Sequence, residues 1–578
     1  MRAGVARTLA GPASEATGMP SFVRSRRALA CFALLALPLA ACGGKKKPGP
    51  DGGAGGAEIP QAPPEPDGIR RYRHVVTGRD LLATHSMDPK ESTAVWHYRV
   101  EWLNNKIVKY ERVNPAGGTA DSVLVEYKPD GTRVEHVRNA YGIELYNDSV
   151  DRSSVVTRTW RSGEVIDDGC YWRRRSFDSF GRLETETCLD DKSMVITDAL
   201  GCAVTRYQWS VSNEVQTKVC LNNDMTPAHD ANGVHRTTYE RDLYGFVTDE
   251  SYYGAQNERV PRLSDGCVRI QTKRDEAASP IEVICADDKG QSTFVRGGGY
   301  TTILQKHDAN GCLVEKKHVD FEGKPPKKGN HGTTTFTVDK HCGVLAVVNK
   351  SPRGQMVSLA PGAPPAEELV LGPDGLWTER KCKATGPVAC IDPKRVGAKG
   401  SIVKVERDEM GRIVKQKCFQ AADKPSPCEG GFPHERRFDY GADGRVRAET
   451  FFDEKGQPAL GLGAAQIERK HTSVGKKLTE NYLDKDGAPI INKLGFASVT
   501  LQYDVQQRIS LIQLQGADGQ PRGSKSLVYA GIAWPNGAAK MSVDRELDGR
   551  LANVFLGTDD KVLKRVECAE LTTPCYRR

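Results

Sequence analysis

The 578-residue chain predicts an all-β fold: a long antiparallel meander of ~32-residue two-stranded repeats, forming a disulfide-stapled twisted or spiral sheet. Three observations predict it. A tight-turn residue recurs at near-constant spacing, apolar side chains keep fixed distances from it, and the cysteines keep the same register.

The turn residue is Gly181, and its equivalents are Asn213, Gly245, Ala278, Gly311, Gly343, Gly375, Gly411, Gly444, Gly475 and Gln507. Most are Gly or Asn, which accept the positive φ of a tight turn. Three residues earlier an aspartate recurs (Asp178, Asp242, Asp275, Asp308, Asp408, Asp504). Its carboxylate can accept backbone amides just ahead and so start an Asx turn. Two residues after the turn comes an apolar side chain: Leu183, Val215, Val247, Leu313, Leu345, Trp377, Ile413, Val446 or Ile509. A second turn follows twelve residues after the first, clearest as Gly456-Gln457-Pro458 and Gly487-Ala488-Pro489. Between the turns Val446, Ala448, Thr450 and Phe452 alternate with Arg445, Arg447, Glu449 and Phe451, the period of two that marks a strand.

Leaving out Cys31 and Cys42, fourteen cysteines remain. Cys170–Cys188, Cys202–Cys220 and Cys267–Cys285 are each 18 apart, eleven before and seven after the turn residue. The two ends of one hairpin placed that way meet across the strands, within disulfide reach. Cys382 and Cys418 occupy the same +7 site and find partners beyond the second turn, at Cys390 and Cys428. Where +7 lacks a cysteine it holds Tyr252, Phe451, Tyr482 or Leu514, so a half-buried site is expected there. Cys312–Cys342 would tie the turns of successive units, and Cys568–Cys575 would close the C-terminus. Bridges of this kind belong to an oxidising compartment outside the cytosol. Zinc is not expected, because C-x₂₋₄-C pairs with nearby histidines do not occur.

Residues 69–165 read as an irregular β N-terminal cap, with turns at Asn104-Asn105, Gly117-Gly118 and Asp130-Gly131; the repeat array covers 166–578. Residues 1–41 read as a signal peptide, Met19 being the expected true start. Arg24-Ser25-Arg26-Arg27 precedes an apolar run, 28–41, too short for a permanent spanning helix. The order Leu39-Ala40-Ala41-Cys42-Gly43 resembles the lipobox of bacterial lipoproteins. That resemblance implies an acylated Cys42 (a palmitate-type anchor) as the mature N-terminus, and Gly43 in place of Asp implies the outer membrane. Within the 42–68 segment, the seven glycines and six prolines of residues 43–67 predict a disordered tether, reaching about 25–30 Å.

Five arginines and one glutamate in residues 1–41 account for +4 of the formal +8, leaving +4 on the mature chain. With no long basic run standing out beyond Lys45-Lys46-Lys47, nucleic acid is not an expected partner, whereas those lysines can touch anionic headgroups.

The phrases Phe177-Asp178-Ser179-Phe180-Gly181-Arg182-Leu183 and Tyr503-Asp504, the stretch 439–445 (DYGADGR) and the stretch 482–489 (YLDKDGAP) resemble bacterial YD repeats of the RHS type. The resemblance covers about two thirds of the chain and implies a long spiralling sheet, in that family sometimes a shell around a toxin. The spacing here exceeds that family's, and no toxin-like domain follows the repeats.

The sequence contains no H-E-x-x-H, G-x-S-x-G or G-x-x-x-x-G-K motif. Asp484-Lys485-Asp486-Gly487 starts like a calcium loop, but Gly495 stands where a bidentate Glu belongs. No catalytic residue, metal or cofactor is expected. Trp172, Trp209 and Tyr252, on neighbouring hairpins, are candidates for stacking on sugar rings, with cross-strand packing as the favoured alternative. The expected function is that of a lipid-anchored cell-envelope protein with a binding or scaffolding role toward a protein or glycan, without catalysis. The alternatives are a carbohydrate- or peptidoglycan-binding module, or an RHS-like shell or immunity partner of a secreted effector.

Overall fold

A computed structural model describes residues 67–88, 95–164, 168–327, 332–358, 364–382, 402–420, 423–428, 432–504, 509–524, 527–529, 532–545 and 551–567. Among them there is no helix. Thirty-three strands join one sheet, and Leu527–Tyr529 with Ile532–Trp534 form a separate ribbon. β1 (Gly68–Thr77) lies between β2 (Leu81–Ser86) and β3 (His97–Leu103). From β3 onward each strand of the sheet pairs antiparallel with the next, ending at Val562–Glu567. The sheet does not close on its own edges. The fold is therefore an all-β antiparallel meander.

Each repeat is built by aspartate-led turns. Asp178 Oδ1 accepts the amides of Phe180 and Arg182, both at 2.9 Å, and Gly181 takes φ 76°. Twelve residues on, Asp190 does the same for Lys192 and Met194 while Ser193 takes φ 63°. The twelve-residue offset recurs at Met225, Asn257, Gly290, Gly323, Gly354, Asp423, Gly456, Gly487 and Gly519, all at positive φ. One register needs correction: Cys342, not Gly343, holds the positive φ (62°), because Asp339 starts that turn by accepting from His341 and Gly343. The following strand accordingly begins at Val344, not Leu345.

A third turn, absent from the sequence reading, precedes the next hairpin. Asp198 closes it around Gly201 by accepting from Leu200 and Cys202. Successive third turns are hydrogen-bonded along that edge: Ala199 to Asp168 (2.6 Å), Ala231 to Leu200 (2.5 Å), Leu263 to Asn232 (2.8 Å) and Arg296 to Asp265 (2.7 Å). They satisfy backbone groups that a loop edge would otherwise leave to water.

The sheet winds back on itself. The tight turns of the repeats stack on the opposite edge of the N-terminal strands. Arg79 donates to the Gly181 carbonyl (2.7 Å), and the Tyr141 hydroxyl to Asp339 (2.6 Å). Arg161 meets Asp374 (3.2 Å), and Arg412 donates to the Ser162 carbonyl (3.3 Å). One turn further along, Val474 packs on Cys170, Cys188 and Ile196, so a third course begins where the second did. Apolar packing is unevenly spread over this coil. A large cluster runs from Val403 to Phe555, and a second centres on Val100, Ile107 and Val123. Between them the clusters are small and built on the cysteine pairs, with Ile196 and Val474 at one and Ala228 at the other.

Candidate functional site

The +7 residue is the node of each repeat. Cys188 donates its amide to Ala203 of the next hairpin and its carbonyl accepts from Ile196 (both 3.0 Å). Its sulfur is bonded to Cys170. The structure likewise joins Cys202 to Cys220, Cys267 to Cys285, Cys312 to Cys342 and Cys418 to Cys428, each with Cα atoms 5.2 Å apart. Cys382 is disulfide-bonded, whereas Cys390, Cys568, Cys575 and the candidate acylation site Cys42 lie outside the described residues.

Two details differ from the sequence reading. The bridged residues are not direct cross-strand partners: Cys188 faces Arg173 in the ladder, and Cys170 sits ahead of that strand, so each of the three 18-residue bridges clips a lead-in loop onto its own hairpin. The +7 site is also buried, not half-buried. Tyr252, Phe451, Tyr482 and Leu514 are 1%, 1%, 3% and 0% exposed.

That burial removes Tyr252 as a stacking residue, since its ring has no free face. Trp209 is engaged as well. Each hairpin from residues 172–189 to residues 498–515 carries an irregularity beside its tight turn (for example at Gln208/Trp209). Beyond it neighbouring hairpins splay, and the carbonyl two residues after the turn loses its ladder partner. The side chain four residues before the next turn supplies one. Trp209 Nε1 donates to Leu183 (2.7 Å), and Arg241 to Val215 (2.8 Å). Tyr440 donates to Ile413 (2.8 Å), and Tyr503 to Lys477 (2.6 Å). Trp, Arg and Tyr serve as interchangeable latches. Trp172 lies edge-on to Tyr171, ring centroids 5.1 Å apart, at the other end of its hairpin from Trp209's end. Six-residue strands are about 20 Å long, so the structure does not bring the three aromatics onto one platform.

The titratable cluster that sequence reasoning missed lies where β1 and β2 meet the repeat turns. His74 Nε2 donates to the Tyr244 carbonyl (3.2 Å), and its ring packs edge-on to His85 and Phe246. His85 Nε2 is 3.4 Å from Glu214 Oε1. The Glu214 side chain is 7% exposed, and burial pushes its carboxyl up to about 7 against the pull of Arg241. Burial also holds both imidazoles below the usual histidine value. The residues are 74, 85 and 214, with no periodic signal to join them. The remaining polar contacts are local: the Ser212 hydroxyl donates to Glu214 Oε2 (3.2 Å), and His85 Nδ1 meets the Thr84 hydroxyl (3.4 Å). No group of three or more His, Cys, Asp or Glu able to hold a metal occurs among the described residues. Asp484 makes an ordinary Asx turn, accepting from Asp486 and Ala488.

No family model and no curated protein matches the sequence. Among solved structures, the chain is similar to a Tc holotoxin pore from Photorhabdus luminescens, with TM-score 0.29 and 10% identity over 83% of this chain. It is similar to a TcdB2–TccC3 crystal structure with TM-score 0.27 and 10% identity over 82% of this chain. The matched parts are 25% and 28% of those chains, so this chain spans about a quarter of their length.

Proposed function

We propose that this chain is a lipid-anchored scaffold of the cell envelope: a coiled β-repeat body tethered through acylated Cys42, presenting surface for binding and performing no catalysis. The seam between courses carries the reading. Ion pairs and hydrogen bonds between residues as distant as Arg161 and Asp374, or Ser162 and Arg412, make a long sheet into a stiff body, which suits holding partners in place. The basic n-region, the lipobox-like Leu39 to Gly43 order and the Gly/Pro-rich 43–67 segment support the anchor and its spacer. The disulfides suit the oxidising side of a membrane.

Metabolic labelling with an alkyne palmitate analogue tests the anchor. Wild type is expected to label and to sediment with outer membranes, and Cys42→Ala to lose both; equal labelling removes the anchor. The spiral path favours, as a second reading, an RHS-like shell partner of a secreted effector. Stoichiometric co-purification with the product of a neighbouring toxin gene would support it.

A further inference from the structure

The strands Leu313–Val319, Thr333–Val338 and Val344–Lys350 place two lysines in one row. Lys317 is directly opposite Thr333, and Thr333 is directly opposite Lys350. Residues in register share a face, and three adjacent strands put the lysine Cα atoms about 10 Å apart with a hydroxyl between them. Other lysines of the array face a carboxylate across the ladder, among them Lys273 opposite Glu282 (2.7 Å) and Lys415 opposite Glu406 (2.9 Å). Lys317 and Lys350 have no carboxylate within ion-pair distance among the described residues. The nearest acid on that face, Glu315, stands opposite Lys306. Two cations bracketing a hydroxyl, without a counter-charge, raise the energy of the free protein and lower it when an anion arrives.

The row opens into a groove of about 210 Å³, whose walls include Lys317, Lys350, Thr333, Ser351, Pro325 and Pro352. The turn leading into the wall residue Pro325 carries Phe321, 65% exposed and four residues earlier in the chain, which packs on Phe294, 51% exposed, with ring centroids 5.8 Å apart. An exposed aromatic pair beside an uncompensated cationic groove has the chemistry to hold a sugar ring and an oxyanion together.

We propose that this groove binds an acidic saccharide, a hexose carrying a carboxylate or phosphate, with Lys317, Thr333 and Lys350 on the oxyanion and Phe321 against the ring. The site is independent of the anchor and lies apart from Trp172, Trp209 and Tyr252.

Calorimetric titration of the purified full chain at low ionic strength tests it, with glucuronate, glucose 6-phosphate, glucose and inorganic phosphate as probes. The acidic sugars are expected to bind and glucose not, the better acid identifying the oxyanion. K317Q/K350Q should weaken that binding by about tenfold or more, with the near-UV circular dichroism of wild type retained. F321S should weaken both acidic sugars and leave inorganic phosphate unchanged. Glucose binding as tightly as the acids, or K317Q/K350Q binding them as wild type does, overturns the proposal. Loss of palmitate labelling with sugar binding intact would sink the anchor alone.

Discussion

His85 and Glu214 face each other at 3.4 Å across the seam that joins the first two strands to the repeat array. Around them stand Arg73 and His74 from β1, Ser212 from the adjoining turn, and Arg241, Asp242 and Tyr244 from the next hairpin. Burial opposes charge on Glu214 and on both imidazoles, and the two kinds of group respond to pH with opposite sign.

The Glu214 contribution has a definite window. Its carboxyl is raised from 4.5 to about 7 in the fold, so its effect is absent below pH 4.5. As pH rises to 7 the unfolded chain ionises first and stability falls, by about 3 kcal/mol in total. His74 and His85 are held low, so their contribution is complete above the ordinary histidine value and is lost as pH falls. The two slopes oppose each other in mildly acidic solution and flatten the response of wild type. Glu214→Gln should leave only the histidine slope. Hydrogen exchange of the β1 and β2 amides, corrected for intrinsic rates, should show the variant more protected than wild type at pH 8 and equal to it at pH 4. A constant difference across that range would contradict the burial account.

The latch positions make a second test. Trp209→Phe and Tyr503→Phe keep an aromatic ring but remove the donors to the Leu183 and Lys477 carbonyls. Each should cost about 1 kcal/mol in urea unfolding monitored at the affected hairpins. Neither should change binding of acidic sugars. A loss of sugar binding in Trp209→Phe with stability unchanged would restore Trp209 as a ligand residue.

Much of this was legible in the sequence because it is local. An aspartate three residues before a turn, a second turn twelve residues on and a cysteine at +7 all act within one hairpin, so spacing alone reports them. Cys342 was misplaced by one residue because glycine is the louder turn signal, although Asp339 marks the turn correctly. Trp209 is legible from spacing only as an aromatic, because a stacking ring and a latch use the same residue, and its bond to the Leu183 carbonyl shows only where the ladder splays. The seam was invisible for another reason. Tyr141 and Arg161 sit in turns of the irregular N-terminal cap and His74 in its first strand, and their partners Asp339, Asp374 and Tyr244 are set by the pitch of the coil, which no local period encodes.

The disulfides should differ in weight according to what surrounds them. Cys170–Cys188 closes an 18-residue separation within a small cluster that includes Val474 of the overlying turn. Replacing both with Ala should cost about 3 kcal/mol from the unfolded chain's regained freedom, and should also loosen the seam. Cys418–Cys428 spans 10 residues inside the large cluster, so the same change there should cost less. Limited proteolysis should cut the first variant near the Val474 turn and spare the second. The reverse pattern would mean that packing, not bridging, holds that part of the seam.

Ala278 offers the sharpest test of the turn chemistry. It takes φ 64° in the turn that Asp275 starts by accepting the Ser279 amide at 2.8 Å. A left-handed conformation costs an L-residue about 1–2 kcal/mol, whereas glycine pays mainly through the freedom it gains when unfolded, about 0.5–1 kcal/mol. The first term is the larger. Ala278→Gly should therefore stabilise the protein slightly, by about 0.5–1 kcal/mol, although it deletes a side-chain carbon. The equivalent position one unit on predicts the opposite sign. Gly311 takes φ 74°, and an added methyl would meet Trp96 and Pro115, which flank the N-terminal strands. Gly311→Ala should thus lose both the conformational term and the fit of the seam, about 2 kcal/mol or more. Thermal unfolding of the two oxidised variants against wild type decides it. A lowered midpoint for Ala278→Gly would show that the turn residues are chosen for something other than φ.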